Sequence, residues 1–309
     1  MTSLQSQVEK YVSALSPVFR EEFRRYRQLH PHKQHLTSTK GHPYWKEIPR
    51  WLENRHVAIP IRTPSTQAFF DDIAWAQHSL FLFGRIQDDL FDGDAHSPAL
   101  IYISDLFLLE ADRVLAKYFA HSSRFWTLYR GCLKKAAQST IEVDALQRVL
   151  GSSIHRLETA YSGVNSIFKI GPAAICLKAK KEDNIPSIFR FADRMAIIGQ
   201  VIDDLRDFEA DLERKRFNYA AQFLLGHTKK ASSGRMSFAP VGDDLVLTGA
   251  FAALFDKLRS HLKGAENAIK PLAIPEAAPF IQRYRENLRH MENHLNNVQV
   301  EYLLSKLAK

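Results

Sequence analysis

The sequence predicts an all-α fold, a single-domain bundle of about ten to twelve helices around a central cavity over residues 1–309. Two observations carry it. Apolar residues recur at three- and four-residue spacing along most of the chain, and no stretch shows the strict alternation of a β-strand. With only 13 Gly and 13 Pro, the chain is neither repeat-rich nor disordered in composition.

Leu4, Val8, Tyr11, Val12, Leu15, Phe19 and Phe23 predict one amphipathic first helix. His30 to Tyr44 is polar and broken by Pro31, Gly41 and Pro43; no helical face collects its histidines, so it reads as a solvated connector. Pro64 and Ser65 precede a long helical pattern from Thr66 to Asp92, which Gly93, His96, Ser97 and Pro98 end. Ile101 to Phe119, Arg124 to Gln138 and Thr140 to Ser152 read as three further helices. Leu157 to Lys180 is apolar but interrupted by Gly163, Gly171 and Pro172; the proline should kink the helix and free carbonyls toward the cavity. Lys169 lies just before that break, where it either meets an anion or snorkels to the surface. His227 to Asp244 reads as a Gly/Ser/Lys-rich loop that either covers a site or stays disordered. Leu245 to Lys263 and Pro275 to Lys309 complete the helices.

Composition narrows the function classes. A 45% hydrophobic content without any run near the roughly 18 apolar residues of a membrane span predicts a soluble protein, not an integral membrane one. Met1 to Gln28 mixes acidic and basic residues, unlike a secretory signal or transit peptide, so a cytoplasmic location is expected. Cys132 and Cys176 lack metal-type spacing and read as reduced core residues. The net charge of +8 comes without a basic stripe interleaved with aromatics, so no nucleic-acid partner is expected; a phosphorylated small substrate accounts for it. A homodimer is the expected assembly.

The chemistry concentrates in two acidic strings, Asp88-Asp89-Leu90-Phe91-Asp92 and Asp203-Asp204-Leu205-Arg206-Asp207, 115 residues apart and both of pattern DDxxD. Each closes an apolar helical run. Residues i and i+4 share a helix face, so Asp88 pairs with Asp92, while Asp203, Asp207 and Asp211 form a ladder. Carboxylates held together in a partly desolvated place either take up protons or bind a cation, and hard oxygen donors suit Mg2+. Two such clusters predict metals bridging a diphosphate.

These strings resemble the two aspartate-rich motifs of the class I isoprenoid synthase superfamily, the trans-prenyl diphosphate synthases and class I terpene cyclases. Asp88, Asp89 and Asp92 look like its first motif, followed by a similar Ser104-Asp105-Leu106-Phe107-Leu108-Leu109; Gln200 to Asp207 looks like its second, with Asp211, Leu212 and Lys215 similar to its continuation. The resemblance implies about three Mg2+ ions. Their ligands would be Asp88, Asp89, Asp92, Asp203, Asp207 and Asp211, and Asp204 would join the catalytic set. Arg283-Tyr284 resembles the Arg-Tyr pair near the cyclases' C-terminus, and Arg156, 47 residues before Asp203, is placed like their diphosphate-sensing arginine, although Thr159 stands where an acidic residue follows. With Lys169 and Lys215 these residues would bind diphosphate. Phe81, Phe83, Phe168 and Tyr161 are candidates for an aromatic wall around a carbocation.

The chain departs from the elongating synthases where an Arg-Arg pair should follow the first motif, because Gly93-Asp94-Ala95-His96-Ser97-Pro98 stands there. The expectation is therefore a class I terpene synthase that ionises an allylic prenyl diphosphate with Mg2+ and releases diphosphate, giving a hydrocarbon or alcohol. A trans-prenyl diphosphate synthase that condenses the allylic diphosphate with isopentenyl diphosphate is the alternative, its second-substrate site built from Lys40, Arg130 or Arg216. A non-catalytic partner subunit of a prenyl synthase is a further one.

Overall fold

The computed structural model describes residues 4–29, 44–54, 64–226 and 249–307. The polar stretch before Tyr44, with Lys40, and the loop from His227 to Asp244 lie outside the described residues. Among the described residues there are helices and no strand, as the periodicity predicts. They sort into two compact units, Met1–Leu133 with Ile167–Pro186 and Lys134–Ser166 with Ser187–Lys309.

The first unit opens with two helices where one was predicted, α1 (Leu4–Ser13) and α2 (Pro17–Leu29). Pro17 disfavours helical geometry in the residue before it yet suits a first helical position, so the chain turns at Ser16 and restarts. After α3 (Tyr44–Asn54) comes the 28-residue α4 (Pro64–Phe91), and then α5 (Ala99–Leu115), its main packing partner. The α4 bounds match the predicted Thr66 to Asp92 closely. Phe107 of α5, fully buried, packs on Tyr11 and Phe23 with ring centroids 5.4 and 5.6 Å away. Removing such a side chain costs about 3–5 kcal/mol. The Tyr11 hydroxyl also donates to the Leu106 carbonyl at 2.7 Å, fastening α1 to α5.

The two helices predicted over Arg124–Gln138 and Thr140–Ser152 are one, α6 (Arg124–Gln147). Thr140 does not cap a new helix; its Oγ1 donates back to the Ala136 carbonyl at 3.1 Å, and Ser139 is buried. The next apolar stretch breaks as expected, but earlier: α7 (Ile154–Val164) passes through a 3-10 turn (Asn165–Lys169) into α8 (Ile170–Lys178). Pro172 is the third residue of α8, where its missing N–H loses no helical bond. Two of the backbone groups freed by the break meet a side chain rather than a cavity. Gln77 of α4 spans them, donating to Ile167 O at 3.3 Å and accepting from Gly171 N at 2.9 Å. Gly84 allows this close approach, since a Cβ there would lie 2.7 Å from Ile167 Cδ1.

The second unit holds α9 (Ile185–Arg206), the short α10 (Phe208–Glu213), α11 (Tyr219–Gly226), α12 (Ala250–Ile269) and α13 (Ala277–Leu307). The predicted start at Leu245 lies outside the described residues; Gly249, at φ +68°, is the N-cap of α12. Its buried Leu254, Phe255, Leu258 and Leu262 recur at helical spacing. The helices α12 and α13 pack as a hairpin across the 3-10 turn Lys270–Leu272, and Phe280 of α13 meets Phe191 of α9 at 6.4 Å. Among the described residues no helix is long and apolar enough to cross a membrane.

Candidate functional site: two acidic clusters

The first cluster forms the C-terminal end of α4. Gly93, at φ +75°, turns the chain away, Asp92 N still donates to Asp88 O at 2.9 Å, and Ala95 N closes the turn on Asp89 O at 2.9 Å. Consecutive helical residues point about 100° apart, so the adjacent aspartates separate. Asp89 turns inward and is 1% exposed; Asp88 and Asp92 face outward. Asp89 Oδ2 accepts from the buried Tyr26 hydroxyl of α2 at 2.6 Å, and Oδ1 accepts from Arg85 Nη2. Arg85 Nη1 also donates to Asp88 at 3.2 Å. Burial foremost, then the bond to Asp89, pushes the Tyr26 phenol far above its ordinary range, so it remains a donor.

The second cluster repeats this division. Asp203 and Asp207 are exposed and Asp204 is buried. Asp204 Oδ2 accepts from the Tyr161 hydroxyl of α7 at 2.6 Å and from the Tyr219 backbone N–H at 2.8 Å. Burial pushes its carboxyl up to about 7, with Asp211 and Asp203 adding to the rise and the two donors opposing it. Asp203 pairs with Arg206 at 2.9 Å on the surface. The helix breaks at Asp207, but Asp207 N to Asp203 O (3.0 Å) and Asp211 N to Asp207 O (2.8 Å) carry the i,i+4 ladder across the break. Asp211 accepts from the buried Asn218 side chain at 2.8 Å.

The donor chemistry fits a hard divalent cation. Asp92, Asp203 and Asp207 are exposed and Asp88 is half-exposed, Asp88 and Asp203 each meeting solvent beside an arginine, whereas Asp89 and Asp204 are buried on tyrosine hydroxyls and fit as anchors. Among the described residues no group of three or more His, Cys, Asp or Glu side chains is gathered as a metal site.

No family model matches the sequence, and no curated protein matches it. Solved structures do match. An octaprenyl pyrophosphate synthase from Helicobacter pylori superposes with TM-score 0.62 at 11% identity, over 82% of this chain and 90% of that one. A decaprenyl diphosphate synthase from Rhodobacter capsulatus gives 0.65 at 12%, covering 97% and 95%. A geranylgeranyl pyrophosphate synthetase from the archaeon Geoglobus acetivorans gives 0.56 at 15%, covering 95% and 94%. The chain has the isoprenoid synthase fold. At these identities the likeness is one of fold.

Within that isoprenoid synthase fold, the remaining residues singled out by sequence fall as follows. Tyr284 of α13 lies in the field of Asp203; burial first, then that carboxylate, raises its phenol. Arg283 sits 5.7 Å over the Phe280 ring, and Lys215 is exposed at φ +58° just after α10. Arg156 is paired with Glu142 at 3.0 Å. Lys169 is buried at the end of the 3-10 turn. Phe81 and Phe168 face each other at 6.1 Å, but Tyr161 belongs to the Asp204 network rather than to an aromatic wall. Arg130 is exposed on α6, and Arg216 donates its backbone N–H to Asp211 O at 2.8 Å.

Sequence reasoning missed Arg85, Tyr26, Asn218 and Tyr219. Arg85 alone carried a local signal, being one turn ahead of both Asp88 and Asp89. It also missed a buried chain in the second unit: Tyr219 OH donates to Glu158 at 3.0 Å, Lys257 pairs with the same oxygen at 3.0 Å, and His261 Nε2 lies 3.1 Å from it. Arg194 sits 2.9 Å from His261 Nδ1; an arginine can only donate, so Nδ1 accepts and Nε2 carries the proton toward Glu158.

Proposed function

We propose that this chain, acting as one functional domain, is an Mg2+-dependent enzyme of allylic prenyl diphosphates whose reaction is transfer of the prenyl group to isopentenyl diphosphate. The observation that carries this reading is the fold likeness to three prenyl diphosphate synthases over most of the chain, joined to the two DDxxD strings at matching ends of α4 and α9. It displaces the one-substrate terpene synthase as the first choice.

Asp88 and Asp92 would hold metal at the first cluster and Asp203, Asp207 and Asp211 at the second, with Asp89 and Asp204 fixing the helix ends that present them. Bound Mg2+ would supply charge neutralisation of the diphosphate leaving group. Lys169, Lys215, Arg283 and Tyr284 are proposed to bind diphosphate oxygens; Arg156 joins them only by leaving Glu142.

The terpene synthase reading is kept as second, on one observation. Residues 93–98 carry no arginine or lysine, and Ser97 there is engaged with Glu22 at 2.7 Å. Incubation of the purified chain with Mg2+, an allylic diphosphate of C10, C15 or C20 length and radiolabelled isopentenyl diphosphate separates the two. Label in a longer diphosphate supports transfer. Unlabelled hydrocarbon or alcohol with free pyrophosphate supports the terpene synthase. No turnover of any of these substrates, or turnover that a chelator leaves unchanged, overturns both.

A further inference from the structure

Arg85 lies outside the acidic motif, yet its guanidinium is shared between Asp88 and Asp89. The side chain is 30% exposed, and its Nε is buried without a hydrogen bond, so the two carboxylates rather than a backbone carbonyl hold the guanidinium. The position explains the need for it. The C-terminal end of a helix carries partial negative charge, and α4 places three aspartates there with no basic residue in its last turn. The equivalent end of α9 has Arg206, but that pair is solvent-exposed and correspondingly weak.

We propose that Arg85 is a built-in counter-ion of the first cluster. It offsets one of the two negative charges of Asp88 and Asp89 when no divalent ion is bound, and so keeps the cluster's affinity for a free ion low until an anionic diphosphate binds with it. This inference rests on the proposal that the cluster holds Mg2+. A divalent cation must compete with the guanidinium for Asp88, whereas a diphosphate brings negative charge that offsets both cations. Metal and diphosphate binding thereby become coupled. Arg85 acts through the aspartates and is a positioning residue.

Titration of Mn2+ followed by the EPR signal of the free ion tests this without turnover, with and without inorganic pyrophosphate and corrected for their complex in solution. Arg85→Gln should bind Mn2+ alone about tenfold more tightly than the wild type, the scale of one well-screened unit charge. The gain conferred by pyrophosphate should shrink in that variant, while Arg85→Lys should stay within about threefold of wild type. A merely structural role would weaken binding instead. Equal or weaker Mn2+ binding by folded Arg85→Gln overturns the counter-ion role and leaves the proposed function standing. Absence of Mn2+ binding in every variant, or binding that Asp88→Ala does not reduce, overturns the metal reading itself. Should Arg85→Gln fail to fold, the same comparison is made in an Asp89→Asn background, which removes the buried charge opposite Arg85.

Discussion

The Tyr161 hydroxyl donates to Asp204 Oδ2 at 2.6 Å, the same distance at which Tyr26 donates to Asp89 in the other unit. In both clusters the second aspartate of the motif is a buried acceptor from a tyrosine on a distant helix, and the first faces outward. The two members of each Asp-Asp pair therefore have different work.

That division can be separated by mutation. Asp204→Ala takes the buried acceptor from the Tyr161 hydroxyl and leaves the Tyr219 N–H only its longer bond to the Tyr161 oxygen at 3.3 Å, and Asp89→Ala takes the acceptor from the Tyr26 hydroxyl and leaves Arg85 on Asp88 alone; each should cost about 2–4 kcal/mol in denaturant unfolding. Asp88→Ala and Asp203→Ala should leave stability within about 0.5 kcal/mol while lowering activity on allylic diphosphate about 100-fold or more. Equal stability losses at all four positions would contradict the anchor assignment.

The buried Glu158 gives the second unit an acid limit. Burial alone would raise this carboxyl, but hydrogen bonds from His261 and Lys257 hold it down at about 2, below the 4.5 of an unfolded glutamate. With the folded pKa depressed, the stabilisation is present above pH 4.5 and is lost as pH falls toward 2. Thermal denaturation across that window should show a steeper decline in the wild type than in Glu158→Gln. Parallel slopes would remove Glu158 as the cause.

Gly163 marks a close approach of α7 to α6. A Cβ at this position would stand 2.0 Å from Ser139 Oγ and 2.7 Å from Ser139 Cβ. Gly163→Ala should therefore destabilise the protein by about 1–3 kcal/mol, despite alanine's better helix propensity. Ser139→Ala should recover only part of the loss, because the Cβ contact remains. A neutral or stabilising Gly163→Ala would show that the two helices can separate.

Sequence alone determined the all-α class, the extent of α4 and the two acidic strings at helix ends, because helical periodicity and i,i+4 spacing are local properties written in consecutive residues. Local rules also account for the errors: Pro17 splits the first helix, and Thr140, where a new helix was predicted to begin, is absorbed within α6 by back-bonding to Ala136. Only the tertiary structure decided which aspartate of each pair is buried. Tyr26 reaches Asp89 from 63 residues away and Tyr161 reaches Asp204 from 43, and no spacing rule connects such positions. It also decided that the carbonyl freed at Ile167 meets Gln77 rather than a cavity, 90 residues apart in the chain. A buried polar group must find a partner, but which partner it finds depends on how the helices pack.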